Sequence, residues 1–174
     1  VRPGNQPFPI ITFLFFNLHP PNYLMSYSDN QELLQELRAA DQALREEQAD
    51  VRADTDTHIT RYIADHMRKW EEFLSDTLDK LESEMSDTTA KTFNQVTPHG
   101  SPLERLKDHS PAPREPKELV QWTLQRHDDL AEWCQTIGEQ ALSERTADLF
   151  NLLANQLKEI NRQLASDTRS LVQE

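Results

Sequence analysis

Glycine is nearly missing: three in 174 residues, at positions 4, 100 and 138. That leaves no phosphate-cradling glycine loop and no Gly-x-Ser-x-Gly elbow, and there is no His-Glu-x-x-His either. Cysteine occurs once, as Cys134, which excludes an intrachain disulfide and a Cys-rich metal site and makes a reducing cytoplasm the simplest compartment. Basic charge is scarce, 18 Lys and Arg against 30 Asp and Glu, for a net charge of −12. This balance argues against nucleic acid or an anionic membrane surface as partner, and favours solubility and a basic partner or cations. Long hydrophobic runs are absent too. The most apolar stretch, residues 10–16, falls far short of the roughly 20 residues a membrane span needs. It is flanked by Pro7, Pro9, Pro20 and Pro21, has only Arg2 ahead of it, and is followed by no small-residue cleavage site, unlike a signal peptide. Residues 1–24 are therefore expected to be a disordered or non-native segment, with the functional chain starting at Met25. A hydrophobic docking arm is the alternative.

What the chain does have is helical periodicity. Phe150, Leu153, Leu157, Ile160, Leu164, Asp167 and Leu171 follow a 3-4 spacing that draws one stripe down a helix. Ile63, Met67, Trp70, Leu74, Thr77 and Leu81 repeat it ninety residues earlier, with Thr77 at the place of Asp167. Two further stripes are Leu34, Leu37, Asp41, Leu44, Gln48, Val51 and Val120, Thr123, His127, Leu130, Cys134, Ile137. The spacing predicts helices over about 31–54, 57–86, 117–140 and 144–172, within one domain over 25–174. Ser28 to Asn30 offer caps for the first, and Pro116 suits the first turn of the third. The cap-forming cluster at 54–57 reads as a turn; the rival is one continuous helix over 30–85, which would make an antiparallel coiled-coil dimer. Residues 87–116, with Pro98, Gly100, Pro102, Pro111, Pro113 and Pro116, form a long crossover with one short helical turn near 103–108. Its length suits a chain that must travel the roughly 40 Å of a helix near 28 residues before the next begins.

The first helices of the two halves also match. Glu32-Leu33-Leu34-Gln35 aligns with Glu118-Leu119-Val120-Gln121 at an offset of 86, which continues through Leu44 and Leu130, Glu46 and Glu132, Val51 and Ile137. The second helices match at 90, so four extra residues are needed, and the neighbourhood of Gly138 is the expected place. The expected fold class is all-α: a four-helix bundle of two pseudo-repeated helical hairpins joined by a long crossover.

Residues 117–171, through Glu118-Leu119-Val120-Gln121-Trp122, His127, Trp133-Cys134 and Asp148-Leu149-Phe150-Asn151-Leu152-Leu153-Ala154, resemble the ferritin-like superfamily, and most closely its rubrerythrin-type domains. Residues 32–81 resemble it more faintly. The resemblance implies a bundle whose first and third helices each give a Glu and whose second and fourth each give a Glu-x-x-His to two metal ions. On that alignment the Glu-x-x-His positions fall on Met67 and Trp70 and on Leu157 and Ile160, and the single Glu positions fall on Asp41 and His127. The family's fold is thus implied and its usual metal cofactor is not.

Asp41 and His127 interrupt apolar stripes at equivalent positions of the repeat. They are expected to face each other as a buried polar pair, with a remodelled metal site as the alternative. His58 and His66 stand eight residues apart and read as solvated, as do Glu46-Glu47 and Glu71-Glu72, where Glu46 and Glu72 are the stray-ligand alternatives. His99 and His109 read as loop histidines, Cys134 as a small buried apolar residue, and Trp70, Trp122 and Trp133 as core or interface. No cofactor is expected, and the residues argue against an enzyme more than for one. The expected function is a non-catalytic interaction or structural module with a protein partner or a second copy as homodimer, through Tyr62, Phe73, Leu149 and Leu152; the alternative is a metal-binding or redox protein.

Overall fold

A computed structural model describes residues 26–53, 57–96, 101–102 and 111–169. They form β1 (Ser26–Asp29), α1 (Asn30–Ala53), α2 (His58–Glu84), a single turn α3 (Asp87–Ala90), β2 (Phe93–Val96), α4 (Pro116–Gln140) and α5 (Glu144–Thr168). The protein is mostly helical. Residues 1–25, the short turn expected at 103–108, His99 and His109, and the last residues assigned to the fourth helix (170–172) lie outside the described residues.

Local chemistry accounts for where the helices start. Asp29 Oδ1 accepts from the Glu32 backbone N–H while Glu32 Oε2 accepts from that of Asp29, a reciprocal cap that satisfies two donors at the head of α1. Thr57 Oγ1 accepts from the backbone N–H of Thr60, and Pro116 stands in the first turn of α4. Gly138 lies inside α4 rather than in the turn after it, which is residues 141–143. There it permits close helix contact, since a Cβ at this position would lie 2.9 Å from Asn151 Oδ1 and 3.3 Å from the Ala147 carbonyl of α5.

α1 and α2 are two helices folded against each other, which removes the continuous-helix alternative. Arg38 reaches Asp79 and Glu82, Gln48 reaches Glu71, and Arg52 reaches Asp65, so positions climb on one helix as they fall on the other. α4 and α5 are likewise antiparallel and pack most extensively, with Lys158 bonded to Gln135 and Asn161 to the Leu124 carbonyl.

The described parts of 87–116 meet α1 at Asn30 and at Glu47, and they contain structure that periodicity did not predict. β2 pairs antiparallel with β1, Ser26 opposite Val96 and Asp29 opposite Phe93. At this end the buried Asn30 side chain donates to Thr89 O at 2.7 Å and to Thr146 Oγ1 at 3.0 Å, tying α1 to α3 and α5. At the other end Ala112 N–H donates to Glu47 Oε2, and Thr60 Oγ1 donates to the Arg114 carbonyl.

The buried side chains form two clusters. The larger joins α1, α2, α4 and α5 through residues such as Leu37, Leu78, Leu130, Phe150 and Leu157. The smaller joins Val51, Ile63, Met67, Leu119 and Leu164 toward the Ala53 end. A polar layer separates them.

Candidate functional site

The layer draws on all four long helices. On α1 it takes Asp41, Arg45 and Gln48; on α2, Glu71; on α4, His127; on α5, Asn161. All except Arg45, which is half-buried, are buried, Glu71 fully and His127 to within 1%. Buried polar groups cost stability unless they are paired, and this layer pairs part of them, leaving Arg45 Nε, Gln48 Oε1 and His127 Nε2 without a hydrogen bond. Arg45 donates to Asp41 Oδ2 at 2.6 Å and to the Glu71 carbonyl at 3.1 Å. The Gln48 amide donates to Glu71 Oε1. The same oxygen stands 3.6 Å from His127 Nε2. His127 Nδ1 is 2.9 Å from Asn161 Oδ1, and the Asn161 amide donates to Leu124 O and to Asp128 Oδ1.

Asp41 and His127, expected to bond to each other, both point into the core but do not touch directly. Asp41 is held by Arg45 and His127 by Asn161, and Glu71 stands between them. Burial pushes the Asp41 carboxyl up to about 6, aided by the Glu71 charge; Arg45 and His127 pull it down. Asp41 Oδ1 and Glu71 Oε2 accept no hydrogen bond.

Glu71 is the main correction to the sequence reading, which placed it with Glu72 on a solvated face. Glu72 is exposed and pairs with Arg68, as that reading expects, whereas Glu71 faces inward. Positions 70 and 71 both fit a helical repeat running from Met67 to Leu74, and only packing decides which of them enters the core. Trp70, the expected stripe residue, is half-buried and donates to His66 Nε2 at 3.2 Å. His66, in turn, is not a solvated residue: it lies 3.1 Å from Asp167 Oδ2 and links α2 to α5. His58 and Glu46 are exposed. Met67, Leu157 and Ile160 are buried.

Cys134 is fully buried, and burial pushes its thiol far up, so it packs as an apolar side chain rather than as a nucleophile. Arg126 went unnoticed in the sequence. It is buried on α4, lies 5.0 Å over the Trp122 ring and 3.7 Å from Asp129, and is shifted down by burial.

The donor set does not suit the pair of metal ions that the resemblance would imply. A guanidinium bonded to the carboxylate of Asp41 already supplies the counter-charge, and the described residues hold no group of three or more His, Cys, Asp or Glu placed to share an ion. No described helix is long and apolar enough to cross a membrane. Comparison with protein-family models, curated proteins and solved structures finds no match.

Proposed function

We propose that the chain is a ferritin-like four-helix bundle of two pseudo-repeated hairpins, in which a self-paired polar layer has taken the place of the metal ligands. It acts as a non-catalytic interaction module through its outer surface. The observation that carries this reading is Arg45: the cation at the centre of the layer belongs to the chain itself, bonded to Asp41 on its own helix and to the Glu71 carbonyl on the next. A guanidinium there balances buried carboxylate charge without a bound ion.

The repeat is supported by the composition of the layer. Asp41 and His127 match at an offset of 86, and Glu71 and Asn161 match at 90. Four residues that pair off under the repeat thus belong to one layer. The four extra residues of the second half fit the first turn of α5, which starts at Glu144, four residues before Asp148, the match of His58. Glu71 and Asn161 stand one residue beyond Trp70 and Ile160, onto which the family's histidine positions fall.

The surface supports an interaction role. Tyr62 and Phe73 on α2 and Leu152 on α5 are 56%, 51% and 46% exposed. Leu149 is half-buried against the core and lines the same side of α5. Large apolar side chains gathered on one side of a strongly charged protein mark a contact surface.

Elemental analysis of the full chain, purified without tag or chelator, tests the reading. The expected result is a folded helical protein without stoichiometric metal. Near-stoichiometric iron, manganese or zinc that is lost in H127A or E71A would overturn it and favour the remodelled metal site.

A further inference from the structure

We infer that a pocket between α1 and α2 binds a small phosphate monoester that carries a hydroxyl, held by three arginines at the rim and by Gln48 at the floor. The inference goes beyond the interaction reading above and does not depend on it.

The pocket has a volume of about 340 Å³, within the range of small-molecule sites. Its floor is Gln48 of α1 and Ala64 of α2, both buried, and its rim is Arg52, Arg61 and Arg68, all exposed. Ala49 and Ala53 line the α1 wall, where their short side chains leave the space open. No carboxylate lines the pocket, although the chain as a whole carries a net charge of −12. Helical spacing explains the convergence. Gln48 and Arg52 stand one turn apart on α1, and Arg61, Ala64 and Arg68 follow a 3-4 spacing on α2, so each set shares one face.

The arginines keep donors for a ligand. Arg68 gives Nη1 to Glu72 at 2.7 Å, which uses one of several N–H groups on the guanidinium. Arg52 Nε lies 2.6 Å from Asp65 Oδ1, yet that oxygen accepts no hydrogen bond, so the Arg52 N–H groups are not spent on it. Planar guanidinium forks match phosphate oxygens in pairs. A carboxylate fills one such fork, whereas the terminal oxygens of a phosphate monoester can serve several.

Gln48 is the second, independent observation. It is 2% exposed, its Nε2 donates to Glu71, and its Oε1 accepts no hydrogen bond. A buried acceptor left unpaired is costly, and a ligand that brings it a donor gains by the difference. A phosphate monoester has given up most of its second proton at pH 7, so the donor has to be a hydroxyl elsewhere in the ligand. The hydroxyl then sits on the floor while the phosphate stays among the cations of the rim.

Isothermal titration calorimetry on the full chain tests this with glycerol 3-phosphate as the probe. One saturable site per chain is expected. Ethyl phosphate, which keeps the phosphate and lacks the hydroxyls, is expected to bind about tenfold more weakly. R61Q and R68Q, both at exposed positions, are each expected to weaken glycerol 3-phosphate about tenfold with unchanged helical circular dichroism. Absence of saturable binding overturns the inference, as do equal affinities for the two phosphates or an affinity indifferent to R61Q and R68Q. If one variant loses its helical signal, the other still decides.

Discussion

His127 and Asn161 are joined across α4 and α5 by a 2.9 Å hydrogen bond whose direction is fixed by the other end of the amide. Asn161 Nδ2 faces two acceptors, Leu124 O and Asp128 Oδ1, so Oδ1 is what it turns toward the ring. His127 Nδ1 therefore carries the proton. Nε2 faces Glu71 Oε1 at 3.6 Å, beyond hydrogen-bond distance. Arg45 in turn balances the buried Asp41 carboxylate, at 2.6 Å.

Breaking that balance from one side should be costly. R45M leaves Asp41 buried without its cation, so it is expected to lower unfolding free energy by about 3 kcal/mol. The double variant D41L/R45M removes both charges and is expected to recover most of the loss. Urea unfolding followed by circular dichroism measures both, and a double variant no better than R45M would refute the pairing.

Stability should also depend on pH through Asp41. Its folded value of about 6 lies above the ordinary 3.8, so the native state holds the proton more tightly than the unfolded chain. The resulting stabilisation is complete below about pH 4 and is lost as pH rises through about 6. D41N cannot titrate at this position. The stability of wild type relative to D41N is expected to fall by roughly 3 kcal/mol between about pH 4 and about pH 7. Equal pH profiles for the two proteins would show that Asp41 ionises freely in the fold.

Cys134 should be silent in the native protein. Its thiol is fully buried and shifted upward by burial alone. Iodoacetamide is expected to leave the folded chain unmodified and to add once per chain in denaturant, as read by intact mass. Rapid native alkylation would contradict the packing of α4.

Asn30 should anchor the β1 end. N30A removes two buried hydrogen bonds, to Thr89 O and Thr146 Oγ1, and is expected to cost about 2 kcal/mol in thermal or urea unfolding. An unchanged midpoint would mean that α1 and α5 hold together there without it.

The four long helices, their breaks and most of their buried faces are present in the residues themselves, because a helix is a local structure. Its repeat, its caps at Asp29 and Thr57 and the proline at position 116 all act within a turn or two. So does the inward phase of Asp41 and His127, which lie within stripes that have to face the core. The ribbon of β1 and β2 was hidden, because it joins segments nearly seventy residues apart and neither carries a strand's alternation on its own. The layer's partners were hidden for a related reason. Glu71 and Trp70 both satisfy the spacing, and a few degrees of helix rotation decide which is buried. Asp41 and His127 were legible as inward polar residues; that Arg45 and Asn161 hold them apart follows from which helices become neighbours. Periodicity sets each helix's inner face, and tertiary packing alone sets what that face meets.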